Sequence, residues 1–241
     1  MQPDRVAPLR PKVVLGIAAH PDDLDFGAAG TMARFVADGA EVHYLIITDG
    51  SKGSEDAAIT PAELTKIRET EQHAAVKVIG GKSVTFLGYP DGELELTMQL
   101  KRDVVKVIRS VKPDVVVTMD PSMLYSADRG FINHPDHRAA GQAALDAVFP
   151  LARDHMVFPE LFAEGYVPHK TKTMLLINFD QGNHYVDIAD TFETKIKAIN
   201  AHTSQVSDPD GTRAWVAHVS EIIGKRAGLS LAESFVRIDI R

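Results

Sequence analysis

The chain has 241 residues, with 26 lysines and arginines against 33 aspartates and glutamates, which gives a net charge of −7 at neutral pH. The length suits one large domain or two small ones, and the acidic balance argues against a nucleic-acid-binding surface. There is no cysteine, so disulfides, thiolate nucleophiles and cysteine-ligated zinc are excluded, and any metal must bind histidine nitrogen and carboxylate oxygen.

Hydropathy and the N-terminal region predict a soluble, cytoplasmic protein. No stretch approaches the roughly 18 consecutive apolar residues that a membrane span needs. Residues 1–12 are polar, contain Pro3 and Pro8, and lack the apolar segment that is typical of a signal peptide.

The first part of the chain alternates apolar runs with helical patterns. The run at 13–19 is continuously apolar, as expected of a strand buried on both faces of a sheet. Thr60-Pro61-Ala62-Glu63 combines a capping residue, a proline at the first helical position and a following acid, which predicts the start of a helix. In chain order, the predicted strands cover 13–19, 42–48, 84–87 and 115–118, and the predicted helices cover 26–37, 60–78, 97–111 and 135–148, with a long loop at 119–133.

Beyond Pro150 the pattern loosens but continues. Strands separated by helices imply βαβ units, so we predict an α/β, Rossmann-like fold with a mainly parallel sheet and helices on both faces. We find no internal repeat and no linker, and therefore expect a single domain over residues 1–241. The later predicted strands cover 173–178, 185–188 and 235–240, and the later helices cover 191–203 and 212–226.

Acidic residues and histidines follow each of the first four predicted strands. In an open parallel sheet, ligands gather at the carboxyl ends of the strands, so these side chains should share one edge of the sheet. The clusters are His20-Pro21-Asp22-Asp23, Asp49-Gly50-Ser51, Asp91-Gly92 and His134-Pro135-Asp136-His137.

The two histidine motifs together indicate a metal site. In each motif the outer residues are three apart, which places both side chains on one face of a helical turn. Three of the four residues His20, Asp23, His134 and His137 could bind one divalent ion, and zinc accepts two imidazoles and a carboxylate with a position left for water. Asp22 would then be free to accept a proton from that water. Either motif alone is more simply a capped helix start, but their joint occurrence after strands of one sheet favours the metal.

At these residues the sequence resembles the LmbE-like de-N-acetylases, which are zinc N-acetylglucosaminyl deacetylases. The family signature is similar to Ala19-His20-Pro21-Asp22-Asp23 and to His134-Pro135-Asp136-His137. The resemblance spans nearly the whole chain. Its supporting matches are Gly30-Thr31, Thr48-Asp49-Gly50, Arg68 with Glu71, Leu87-Gly88-Tyr89-Pro90-Asp91-Gly92, Lys195, Ser204-Gln205 and Glu233-Ser234-Phe235.

The resemblance implies the fold, the cofactor and a role for each site residue. It implies that His20, Asp23 and His137 hold Zn²⁺, with Fe²⁺ as the other candidate. It also implies that Asp22 is the general base, that His134 is the cationic partner of the developing oxyanion or leaving amine, and that Arg68 lies near the site. The expected substrate is a small N-acylated amino sugar or glucosamine conjugate, and the expected assembly is a homo-oligomer.

Three positions depart from the family pattern, and they leave an alternative open. Asp25 stands where a glutamate is usual, Ile132 where one branch has a tyrosine, and His202 where some relatives have a tyrosine. The alternative is a catalytically altered member that only binds a metal or a sugar. A non-haem Fe(II) oxygenase also uses two histidines and a carboxylate, but it would be expected on a β-sandwich rather than on alternating strands and helices.

Four further side chains have interpretations outside the metal motifs. Asp91 either lines the sugar site or caps a turn, and Arg129 is either a substrate contact or, more simply, a solvated loop residue. His43 is expected to be satisfied within its strand. Trp215 belongs to an apolar helical stripe that predicts core packing or a subunit contact.

Overall fold

The structure is a computed structural model that describes residues 9–127 and 130–241. Within these ranges the chain forms nine strands and seven α-helices, with a π-helical turn (Ala147–Leu151) after the fourth helix. The strands are β1 (Val13–Ala18), β2 (Glu41–Thr48), β3 (Ser83–Tyr89), β4 (Val115–Met119), β5 (Tyr125–Ser126), β6 (Phe131–Ile132), β7 (Thr173–Ile177), β8 (His184–Asp187) and β9 (Ala232–Asp239). The helices are α1 (Asp23–Ala37), α2 (Pro61–Ile79), α3 (Met98–Val111), α4 (Pro135–Asp146), α5 (Pro159–Ala163), α6 (Phe192–Ile199) and α7 (Pro209–Ala227).

The central sheet has the order β3-β2-β1-β4-β7-β9-β8. The five strands from β3 to β7 are parallel, and β9 runs antiparallel to both β7 and β8. The predicted mainly parallel α/β sheet is therefore confirmed. Because β1 pairs with β2 on one side and with β4 on the other, the connections after β1 and β4 leave toward different sides and open a crevice between them.

Helices cover both faces of the sheet. Alternate residues of β1 belong to different cores: Val14 packs in the core that contains residues of α1 and α2, whereas Leu15 packs in the core that contains residues of α3 and α4. Both side chains are fully buried, which explains the continuous apolar run of this strand. In the part of the chain that the structure describes, no helix has the length and apolar character needed to cross a membrane.

The predicted start of α2 is confirmed in detail. The Glu63 amide donates to the Thr60 hydroxyl at 3.3 Å, and the Glu63 carboxylate accepts from the Thr60 amide at 2.9 Å, which makes a complete capping box. At the other end, Gly80 takes the left-handed conformation (φ 77°) that ends many helices.

We expect Thr60→Ala to lower the free energy of unfolding by about 0.5–2 kcal/mol, because the Glu63 amide at the start of α2 loses the hydroxyl that accepts its hydrogen bond. Urea unfolding followed by circular dichroism measures this. Thr70→Ala is the matched control, since Thr70 is exposed within the same helix and its hydroxyl only donates to the Lys66 carbonyl. An equal loss in both variants would contradict the capping role.

Lys195 of α6 and Glu233 of β9 form a buried ion pair, and both side chains also contact α1. The Lys195 ammonium donates to the Glu233 carboxylate and to the Phe26 carbonyl, both at 2.6 Å. Glu233 also accepts from the amides of Gly30 and Thr31 at 3.0 and 2.7 Å. Both charged side chains are only 3% exposed, so α1 is clamped from the side by charges that are shielded from water.

Two short features differ from the sequence expectation. The segment predicted as a loop at 119–133 contains the hairpin of β5 and β6, and helix α5 was not predicted. Helix α1 begins at Asp23 rather than at residue 26, so Asp23 and Asp25 lie in its first turn and the residues before them form a separate turn. The prediction that His20 and Asp23 share one helical turn is therefore wrong, because Asp22, with a φ of 97°, is not helical. This placement brings Asp22 and Asp23 directly onto the edge of the sheet.

Candidate metal and catalytic site

The predicted site residues meet at the carboxyl edge of the sheet, in the crevice between β1 and β4. His20, Asp22 and Asp23 lie in the connection from β1 into α1. His134 and His137 lie at the start of α4, which follows β4 and the short hairpin. Helix α4 approaches the end of β4 so closely that a Cβ on Gly141 would lie 2.4 Å from the Met119 carbonyl oxygen, so glycine is required there.

Three donor atoms from these two connections form a compact triangle. His20 Nδ1 lies 3.3 Å from His137 Nε2 and 3.4 Å from Asp23 Oδ2, and His137 Nε2 lies 3.0 Å from Asp23 Oδ1. Ligand atoms about 2.0–2.1 Å from a tetrahedral zinc ion are separated by about 3.3–3.4 Å. The chemistry and spacing of the three donors therefore fit a divalent ion such as zinc.

The other nitrogen of His20 faces two buried carboxylates. Nε2 lies 3.1 Å from Asp91 Oδ1 and 3.2 Å from Asp136 Oδ2. Burial lowers the pKa of His20, but Asp23 and Asp91 outweigh it and raise this pKa to about 11. The site thus concentrates negative charge around the ring, and carboxylates behind a ligating histidine orient it and increase its basicity.

Sequence reasoning gave no role to Asp136 and did not anticipate the contact of Asp91 with His20. Asp136 also accepts from the amides of Gly92 and Leu94 at 2.7 and 3.2 Å, which ties the loop after β3 to the start of α4. Asp136 lies inside the second histidine motif, and ligating histidines are often hydrogen-bonded to carboxylates. These two facts could have indicated a contact between Asp136 and a histidine of the site.

His134 caps α4 with its ring. Its Nδ1 accepts from the Asp136 amide at 3.2 Å, which assigns the hydrogen of the neutral ring to Nε2. The ring packs edge-on against His20, with centroids 4.8 Å apart. Burial lowers the pKa of His134, as do the neighbouring His20 and His137. Both the capping bond and this pKa oppose the cationic form that the resemblance implies for His134.

Asp22 points away from the helix it precedes and toward an arginine. The Arg68 guanidinium donates to Asp22 Oδ2 at 3.2 Å, to the Pro21 carbonyl at 2.7 Å and to the Gly50 carbonyl at 3.0 Å. Burial and the neighbouring Asp23 raise the pKa of Asp22 to about 6, against the opposing charge of Arg68. A carboxylate with a pKa near neutrality is suited to accept a proton.

The other singled-out residues are distributed as follows. Ile132 is 78% exposed on the hairpin, and Arg129 lies outside the described residues. The expectation that His43 is satisfied in its strand is confirmed, since its Nδ1 lies 2.8 Å from the Ser83 hydroxyl. Trp215 is half exposed, with its ring edge-on to Phe26 at 6.4 Å between centroids.

The chain matches the family model described as PIG-L, GlcNAc-PI de-N-acetylase, over residues 15–148. It is 33% identical over 225 residues to the diacetylchitobiose deacetylase of Thermococcus kodakarensis, an alignment that covers 92% of this chain and 81% of that protein. It is 26% identical over 247 residues to the 1D-myo-inositol 2-acetamido-2-deoxy-alpha-D-glucopyranoside deacetylase of Rhodococcus erythropolis, covering 81% of this chain and 82% of the relative.

Solved structures agree with the family. The N,N'-diacetylchitobiose deacetylase from Pyrococcus horikoshii superposes with a TM-score of 0.87 at 30% identity, covering 95% of this chain and 84% of that one. The 4-carboxy-2-hydroxymuconate hydratase GalB from Pseudomonas putida shares the fold, with a TM-score of 0.80 at 19% identity, over 95% of this chain and 97% of that one. A similar fold thus occurs in a protein named for another reaction. The family match and the 33% identity decide the assignment: the chain belongs to the PIG-L (LmbE-like) family of de-N-acetylases.

Proposed function

We propose that this protein is a metal-dependent hydrolase that removes an N-acetyl or similar N-acyl group from a small amino sugar or glucosamine conjugate. The observation that carries the proposal is the triangle of His20 Nδ1, His137 Nε2 and the Asp23 carboxylate. Asp22 precedes Asp23 in the chain, and the His134 ring lies 4.8 and 5.3 Å from the rings of His20 and His137. The products are a carboxylate and a free amine. Cytoplasmic location and self-association stay predictions.

His20, Asp23 and His137 would hold the ion, with zinc as the first candidate and Fe²⁺ as the second. A bound divalent ion supplies Lewis-acid polarisation of the amide carbonyl and lowers the pKa of a water molecule to about 7. Asp91 and Asp136 hold the His20 ring from behind and keep its Nδ1 turned toward the other two donors.

Asp22 is the general base in this proposal. Its carboxylate accepts the proton of the attacking water as the new carbon–oxygen bond forms, and its near-neutral pKa matches that task. Arg68 is a positioning residue, because it is buried and its guanidinium donates to Asp22 and to the carbonyls of Pro21 and Gly50. These contacts fix the position of the Asp22 carboxylate.

His134 is the hydrogen-bond donor of the site. With Nδ1 occupied by the Asp136 amide, its Nε2–H can donate to the oxyanion that develops on the carbonyl carbon. When the carbon–nitrogen bond breaks, the departing nitrogen takes up a proton, which Asp22 returns from its protonated form. The neutral His134 therefore stabilises charge, and Asp22 carries the proton in both directions.

The proposal is tested first by metal content and then by turnover. We expect purified wild type to hold about one zinc or iron ion per chain by inductively coupled plasma mass spectrometry, and His137→Ala to lose it. We expect metal-loaded wild type to release primary amine from N-acetylglucosamine conjugates such as diacetylchitobiose. Chelation should abolish this activity, and zinc should restore it.

His73→Ala is the matched control, since His73 is exposed on α2. It should keep both ion and activity. Wild type that stays metal-free after incubation with zinc and dialysis would refute the mechanism. Wild type that binds one ion but releases no amine from any N-acetylated amino sugar would favour the alternative, a catalytically altered member that only binds.

A further inference from the structure

The backbone of Asp22 adopts an unusual conformation. Its φ of 97° and ψ of −32° lie in a region that residues other than glycine rarely occupy. Such a conformation is costly and persists only where the surroundings impose it. Within the described residues, the Asp22 carbonyl accepts from the amides of Asp25 and Phe26, whereas its side chain makes no capping bond to α1. Contacts from outside the helix to its amide and side chain therefore help to hold this turn.

Gln72 on α2 supplies one such contact. Its Oε1 accepts from the Asp22 amide at 3.0 Å, and its Nε2 donates to Asp25 Oδ2 at 2.8 Å. Gln72 is fully buried. Because Asp25 accepts from the NH₂ end of this amide, the oxygen end is left for the Asp22 amide. If the amide were reversed, its NH₂ group would face the Asp22 N–H, donor against donor.

Asp25 is in turn anchored by His202. His202 Nε2 lies 2.8 Å from the same Oδ2 atom, and both side chains are 0% exposed. The Tyr44 hydroxyl donates to the other carboxylate oxygen at 3.4 Å. His202 belongs to the turn after α6, where its amide donates to the Ile199 carbonyl. A continuous row of hydrogen bonds therefore runs from this turn through Asp25 and Gln72 to the Asp22 backbone.

We propose that His202 and Asp25 are positioning residues for the general base, acting by fixing the Gln72 amide that holds the Asp22 backbone in its strained conformation. Their effect on rate rests on the proposed function, whereas their effect on the Asp22 backbone does not.

The test compares His202→Leu with His202→Gln in the full chain. We expect His202→Leu to lower kcat by about 10–100-fold, the range found for residues that support ligating side chains from behind, with KM and bound metal near the wild-type values. His202→Gln should recover most of kcat, because the glutamine NH₂ group can donate to Asp25 from the position of Nε2. His73→Leu, the same substitution at an exposed histidine next to Gln72, should change nothing.

A crystal structure of His202→Leu provides a readout that does not depend on activity. We expect a reversed or displaced Gln72 amide and a changed φ at Asp22. If Asp22 and Gln72 keep their geometry and kcat is unchanged, the proposal is overturned. If His202→Leu does not fold, Gln72→Met removes the same link one step closer and takes its place. If wild type shows no turnover, the proposed function fails, and the crystallographic comparison still decides this inference.

Discussion

Asp22→Asn should lower kcat by about 10²–10⁴-fold while leaving the bound metal in place, which is the usual contribution of a general base. The amide has nearly the shape of the carboxylate, and its oxygen can still accept from Arg68, so the geometry of the crevice is preserved. It cannot accept a proton from water at neutral pH. The measurement pairs steady-state kinetics on an N-acetylated amino sugar with metal analysis of the same preparation.

Asp210→Asn serves as the control, because Asp210 is exposed in the first turn of α7. It should retain wild-type kinetics. Activity of Asp22→Asn within about threefold of wild type would remove Asp22 from the role of base. Loss of metal together with activity would instead place Asp22 among the ligands and contradict the assignment of the triangle.

Lys195→Met should lower the free energy of unfolding by about 3–5 kcal/mol, because it leaves the carboxylate of Glu233 buried without its counter-charge. The Glu233 contacts to the Gly30 and Thr31 amides remain, but they do not neutralise the charge. Urea unfolding of wild type and variant measures the difference. The double variant Lys195→Met, Glu233→Gln should recover part of this loss. No uncompensated charge then stays buried, but the glutamine NH₂ group faces the amide of Gly30 or Thr31.

The exposed pair of Arg213 and Glu193 gives a matched control. Its side chains are 44% and 63% exposed, so Arg213→Met should cost at most about 1 kcal/mol. If Lys195→Met lowered the free energy of unfolding no more than Arg213→Met, the buried ion pair would not stabilise the protein more than an exposed one. A double variant as unstable as the single one would show that the loss comes from packing rather than from charge.

The centre of the sheet could be predicted because β1, β4 and β7 are buried on both faces and therefore appear as continuous apolar runs. The start of α2 could be predicted because the capping box is a local pattern. The hairpin could not, since strands of two residues are too short to show alternation. The start of α1 was misplaced because Pro21 and Asp22 resemble a loop, and the positive φ of Asp22 depends on contacts from distant residues.

The same distinction between local and distant contacts applies to the site. The two histidine motifs indicate the donors directly, because each motif lies at the turn that leads into a helix. The residues behind them could not be identified, since Gln72 lies 50 positions from Asp22 and Asp136 lies 116 positions from His20. Each also has an ordinary local explanation, as a mid-helix residue and as an acid in the first turn of a helix.

The sequence separation of the contacts around α1 determines when each becomes available during protein synthesis. His20 and His137 are 117 positions apart, so the three donors cannot meet until α4 has left the ribosome. Glu233 follows Thr31 by 202 positions, so the clamp on α1 is completed only when the last strand docks. In a chain made from its N-terminus, the three donors can therefore meet before the clamp on α1 is complete.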